Sequence, residues 1–73
     1  MTNRTALPVP PATMPADAVG FVAIRPDRPE RLALFRPDGT LSNSFGQDEG
    51  HTEIAAILAP AGYRLLEDGS VVR

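Results

Sequence analysis

Residues 31–45, Arg-Leu-Ala-Leu-Phe-Arg-Pro-Asp-Gly-Thr-Leu-Ser-Asn-Ser-Phe, decide the fold. An Asp-Gly pair between two apolar runs is the strongest short-range hairpin signal a sequence carries. Pro37-Asp38-Gly39 has the chemistry of a type I turn, proline first and glycine in the left-handed position. It predicts a three-residue hairpin with a bulge, Arg36 opposite Thr40 and Phe35 opposite Leu41. Carried outward, that register gathers Ala33, Phe35, Leu41 and Phe45 on one face and sets Leu32 and Leu34 beside Ser42 and Ser44 on the other. The first is the better core face. The second is half apolar, and the N-terminal arm or a partner is expected to cover part of it.

Upstream, Val19-Gly20-Phe21-Val22-Ala23-Ile24 is an apolar run rich in β-branched residues, a central strand stopped by Pro26. Residues 26–30 contain two prolines and read as a loop, and residues 31–36 as the next strand. The result is a three-stranded antiparallel meander. Ile24-Arg25-Pro26-Asp27 and Phe35-Arg36-Pro37-Asp38 repeat one strand-ending pattern, in which proline removes a donor and Asp bonds the turn backbone.

Downstream, Ile54, Ile57, Leu58 and Ala61 have helical i, i+3, i+4, i+7 spacing. Thr52 or Asp48 is the candidate N-cap, Glu49 and Glu53 suit the macrodipole, and Pro60 with Gly62 ends the segment. A helix of about two turns does not survive alone, so it is expected to pack on the face carrying Phe35 and Leu41. A second Asp-Gly pair, Asp68-Gly69, joins Tyr63–Glu67 to Ser70–Arg73 in a C-terminal hairpin. A two-residue loop there sets Leu66 opposite Val71 and Leu65 opposite Val72, and brings Arg64 against Arg73 at a cost in like-charge repulsion. The fold class is α+β: meander, short helix and hairpin over residues 19–73, preceded by a proline-rich arm over residues 1–18. Pro8, Pro10, Pro11 and Pro15 block helix and ladder bonding in that arm and favour an extended or disordered form. Its apolar Leu7, Val9 and Met14 suit a docking segment.

At 73 residues the chain is one domain at most, and so small a domain buries only about 60% of its unfolded surface. It has no Cys and one histidine, His51, which excludes disulfides, thiolate metal sites and His-rich ones. Association is the remaining staple for a small core. All seven basic residues are Arg, so lysine nucleophiles and phosphate-loop lysines are absent. The net charge of −2 argues against a dedicated nucleic-acid binder. Residues 25–36 nevertheless hold four Arg against one Asp and one Glu, while Asp48, Glu49 and Glu53 form an acidic stretch. No run approaches the ~20 apolar residues of a membrane span, and no signal-peptide core opens the chain. A cytoplasmic protein is the expectation.

His51 with Asp48 and Glu53 matches no metal-ligand spacing, and Ser42, Ser44 and Ser70 lie in no nucleophile elbow. No G-x-G-x-x-G or Walker pattern is present. No enzyme activity and no cofactor are expected. The chain reads as a non-catalytic protein-binding or assembly module, a small inhibitor or accessory subunit acting by surface occupation. The expected partner-contact residues are Arg25, Arg28, Arg31 and Arg36, taken as one cluster, with Leu32, Leu34, Tyr63, Arg64 and Arg73. An open sheet edge and the arm complete that surface, toward another protein or a second copy. The alternative is nucleic-acid or anion binding through the Arg25–Arg36 cluster, and a remote third is an enzyme using His51. The general build is shared by many accessory proteins of phages and mobile elements.

Overall fold

The computed structural model describes residues 8–73. Strands β1 (Gly20–Arg25), β2 (Arg28–Phe35), β3 (Leu41–Ser44), β4 (Arg64–Leu65) and β5 (Ser70–Val72) form one antiparallel sheet in the order β3-β2-β1-β5-β4. Helix α1 (His51–Leu58) follows β3. The meander is extended by the C-terminal hairpin, whose last strand lies against β1.

The β1–β2 turn is tighter than the predicted loop: only Pro26 and Asp27 turn, and β2 begins at Arg28. Asp27 makes this possible. Its carboxylate accepts from Arg25 Nε at 3.0 Å and Nη2 at 2.7 Å, a fork that offsets the like-charge pairing of Arg25 with Arg28. Register then jumps from Arg25↔Arg28 to Ile24↔Leu32, so Pro29 to Arg31 bow out of the β1 ladder. A proline without an N–H is tolerated in such a bulge.

At β2–β3 the predicted turn and first pairs are present. Gly39 has φ +90°, and Arg36 N–H donates to the Thr40 carbonyl at 2.8 Å. Phe35 pairs with Leu41, but Leu34 pairs with Asn43, so Ser42 is an inserted residue. One extra residue reverses which face the rest of a strand presents. Ala33 now pairs with Ser44, and Phe45 N–H donates to the Leu32 carbonyl at 3.0 Å. Phe45 therefore joins Leu32 and Leu34 rather than Phe35.

This decides where the helix goes. Phe45, Ile54, Leu58 and Val71 form one buried cluster, flanked by Val22, Leu32, Leu34, Tyr63 and Leu65. The expectation that α1 packs on the Phe35–Leu41 face is corrected: it covers the opposite face, which the Ser42 bulge has made the more apolar. Phe21, Ala33 and Phe35 form the second cluster, with the Phe21 and Phe35 rings stacked at 5.6 Å. Met14 of the arm packs there, and Leu41 is left 45% exposed.

The second Asp-Gly turn also departs from its expected register. It has three residues, and its hydrogen bonds repeat those of the first. Gly39 N–H reaches Arg36 O at 2.8 Å and Gly69 N–H reaches Leu66 O at 3.0 Å; Arg36 N–H to Thr40 O is matched by Leu66 N–H to Ser70 O at 2.8 Å. The aspartates repeat too, since Asp38 Oδ1 accepts from Thr40 N–H at 2.9 Å and Asp68 Oδ1 from Ser70 N–H at 2.8 Å. The pairs are consequently Leu65↔Val71 and Arg64↔Val72. Arg64 does not oppose Arg73; the Arg73 guanidinium lies 5.6 Å from the Tyr63 ring centroid instead, a cation–π contact.

Helix α1 starts after Gly50, not at Thr52 or Asp48. The Gly50 N–H is satisfied by Glu53 Oε1 at 2.9 Å, which is half of a capping box. The helix tightens into a 3-10 turn over Ala59–Ala61 around Pro60, and Gly62 closes it at φ +88°. In the arm, residues 11–18 turn twice, with Met14 N–H donating to Pro11 O at 3.0 Å and Ala18 N–H to Pro15 O at 3.1 Å. Residues 1–7 of the expected arm, with its apolar Leu7, lie outside the described residues.

Candidate binding groove

Helix α1 lies toward the β4 side of its sheet face, and between its C-terminal end and Leu34, Ser42 and Asn43 of the β2–β3 side the sheet is left uncovered. The result is a groove of about 440 Å³. Leu34 and Val71 line it from the sheet, Ile57, Leu58 and Ala61 from the helical segment, and Val19, Tyr63, Ser42 and Asn43 complete it. Each wall follows from local sequence. The helical stripe predicted from spacing is only half used: Ile54 and Leu58 are buried, while Ile57 remains 46% exposed toward the groove. The Ser42 insertion places Ser42 and Asn43 at the opposite side. Among the described residues no charged side chain lines the groove, and Arg73 stands beside it on the Tyr63 ring.

Of the expected contact residues, Leu34 and Tyr63 line the groove and Arg73 flanks it, while Leu32 packs against the helix cluster. Val19, Ile57 and Ala61 also line it and are not among the expected contact residues. For Ile57 and Ala61 the signal is in the helical stripe, which is wider than a helix of eight residues can bury on a small sheet.

The four-arginine cluster is not assembled. The two Pro-Asp turns lie at opposite ends of β2, whose eight residues span roughly 25 Å at ~3.3 Å each. Arg36 is thus a strand's length from Arg25 and Arg28. Arg25 is committed to Asp27 and to Ser44 Oγ at 2.9 Å, in the one ion pair among the described residues. The bond from Arg25 holds the Asp27 carboxyl below its ordinary range. Arg28, Arg31 and Arg64 are exposed.

Nor is the β3 edge open. All four residues of β3 are exposed, yet the Leu41 carbonyl accepts from Arg36 Nη1 at 2.8 Å and the Ser44 N–H donates to Asn43 Oδ1 at 2.9 Å. Side chains thus occupy backbone groups that an incoming strand would need, and the bulge twists the rest away. The other edge, β4, is two residues long and lies against α1.

His51 and Glu53 are drawn to separate tasks. His51 Nε2 lies 3.3 Å from the Leu66 carbonyl, and Glu53 caps the helix. No group of metal-ligating side chains is found among the described residues, and no described helix is long and apolar enough to cross a membrane. Comparison with protein-family models, curated proteins and solved structures gave no match to this chain.

Proposed function

We propose that this chain is a non-catalytic protein-binding module whose contact surface is the groove beside α1. The observation that carries this is an apolar groove, rimmed by half-exposed Val19 and Ile57, that no side chain of the described residues fills. Exposed apolar surface gathered in one concavity marks an interaction site more often than the same residues scattered. The guarded β3 edge favours side-chain insertion over strand addition. A partner would place an apolar anchor against Leu34 and Ile57 and meet Tyr63 and Arg73 at the rim, residue types common at binding hot spots. The distances between the arginines favour protein binding over a phosphate-tracking surface.

The test is site-specific photo-crosslinking in cells, with the crosslinker at Ile57 and, as control, at exposed Thr52 near the other end of the helix. A discrete adduct from Ile57 alone, lost when Tyr63→Ala is added, is the expected result. Equal adducts from both positions, or none from Ile57, would remove the groove from this role.

A further inference from the structure

The arm has a covering role that its proline content does not announce. Residues 11–18 make two successive hydrogen-bonded turns, and the first ladder-type bond to the sheet comes at Val19, whose N–H donates to Val71 O at 2.8 Å. Met14 ties those turns to the Phe21, Ala33 and Phe35 cluster, and the Thr13 hydroxyl donates to Asp68 Oδ2 at 2.5 Å. Asp68 sits in the second Asp-Gly turn, 55 residues away in sequence.

Ser70 is 0% exposed and pairs with Phe21 across β1 and β5, so it points to the face on which Met14 packs. Its N–H donates to Asp68 Oδ1 at 2.8 Å, and its hydroxyl helps to hold the same carboxyl ionised. The covered state gains the Met14 contact and the Thr13–Asp68 bond.

We propose that residues 11–18 are a hinged strap that opens as a unit from the Phe21–Phe35 face while the sheet and helix stay folded. Val19 is the hinge. Nothing in the strap's internal hydrogen bonding is broken when it lifts, and a second apolar face is uncovered opposite the groove. The inference does not depend on what the groove binds.

Met14 reports the motion. Full-length protein is treated with dilute hydrogen peroxide, and conversion of the Met14 thioether to the sulfoxide is followed by peptide mapping in increasing urea. Oxidation slower than in the unfolded chain, yet nearly independent of urea below the global transition, is expected. Thr13→Val, which removes the bond to Asp68, should raise the native-state rate about fivefold. Amide exchange at Phe21 should be unchanged in this variant. Three results would overturn the strap: Met14 oxidising only with global unfolding, oxidation as fast as in the unfolded chain without urea, or a rate unmoved by Thr13→Val.

Discussion

Adding one residue after Asn43 should damage this protein far more than replacing Ser42. Ser42 is exposed, and its role is to be the extra residue between the Phe35↔Leu41 and Leu34↔Asn43 pairs. An alanine inserted between Asn43 and Ser44 takes the place opposite Ala33, Phe45 moves opposite Arg31, and its ring leaves Ile54 and Leu58 for the other face. Phe45 is 5% exposed. Losing that burial costs about 1.5–3 kcal/mol in transfer alone, and large-to-small data for buried Phe, where a cavity is also left, give about 3–5 kcal/mol. A chain of 73 residues has a total stability of roughly 4–11 kcal/mol. With a urea slope of about 1 kcal/mol/M, the insertion should lower the unfolding midpoint by ~3 M or more, or leave the chain unfolded. Ser42→Ala should stay within about 0.5 kcal/mol of the parent. Urea denaturation followed by circular dichroism reads the difference, and nuclear Overhauser contacts from the Phe45 ring to Ile54 report its location. An insertion variant within ~1 kcal/mol of the parent, or one that keeps those contacts, would refute the claim that the β2–β3 register directs Phe45.

Gly62 and Gly69 have nearly equal φ, +88° and +94°, but different space: nothing lies within 4 Å of a Cβ on Gly62, whereas one on Gly69 meets Val22 O at 2.8 Å. Gly62→Ala should cost about 1–2 kcal/mol for the left-handed conformation, and Gly69→Ala at least ~1 kcal/mol more; equal denaturation midpoints would contradict this. Removing both edge guards, Arg36→Ala with Asn43→Ala, should produce concentration-dependent association by sedimentation, and a variant behaving like the parent would show that the bulge alone protects β3. Bonds from Thr40 hold the Asp38 carboxyl below its ordinary value of 3.8, and bonds from Thr13 and from the N–H and hydroxyl of Ser70 do the same for Asp68. A depressed folded pKa contributes stability that is present above the unfolded value and lost as pH falls through the folded one. The thermal midpoint should therefore decline in acid below about pH 4, with a shallower decline in Asp38→Asn/Asp68→Asn; an unchanged slope would exclude the two turns as its source.

Local chemistry was legible in the sequence, and the consequences of one-residue insertions were not. Pro37-Asp38-Gly39 specified its turn and the Phe35↔Leu41 pair because the dihedral demands of proline and glycine are local. The same chemistry governs Glu67-Asp68-Gly69, but a two-residue reading of that turn displaced every pair beyond it and created a false Arg64–Arg73 clash. Ser42 left no mark, since a bulge is chosen by how the sheet buries Phe45, which is a tertiary matter. The arginines grouped well in sequence and poorly in space, because a strand carries neighbours apart at ~3.3 Å per residue. For the groove, Leu34 and Tyr63 were read as contact residues, while Ile57 was assigned to the core on the assumption that the sheet could cover the whole helical stripe.

The sheet order has a consequence for the timing of folding. β5 lies between β1 and β4, and Val71 and Ser70 are among its fully buried residues. Gly20 and Val71, partners in that ladder, are separated by nearly the whole described sequence. Until synthesis has passed Val72, β1 has one unpaired side, the helix lacks Val71 to pack on, and Phe21 has no Ser70 opposite it. The meander made first must wait with an apolar edge exposed for the last strand to arrive. A nascent chain stalled before residue 70 should therefore be a chaperone client, and folding should complete in one late step rather than element by element.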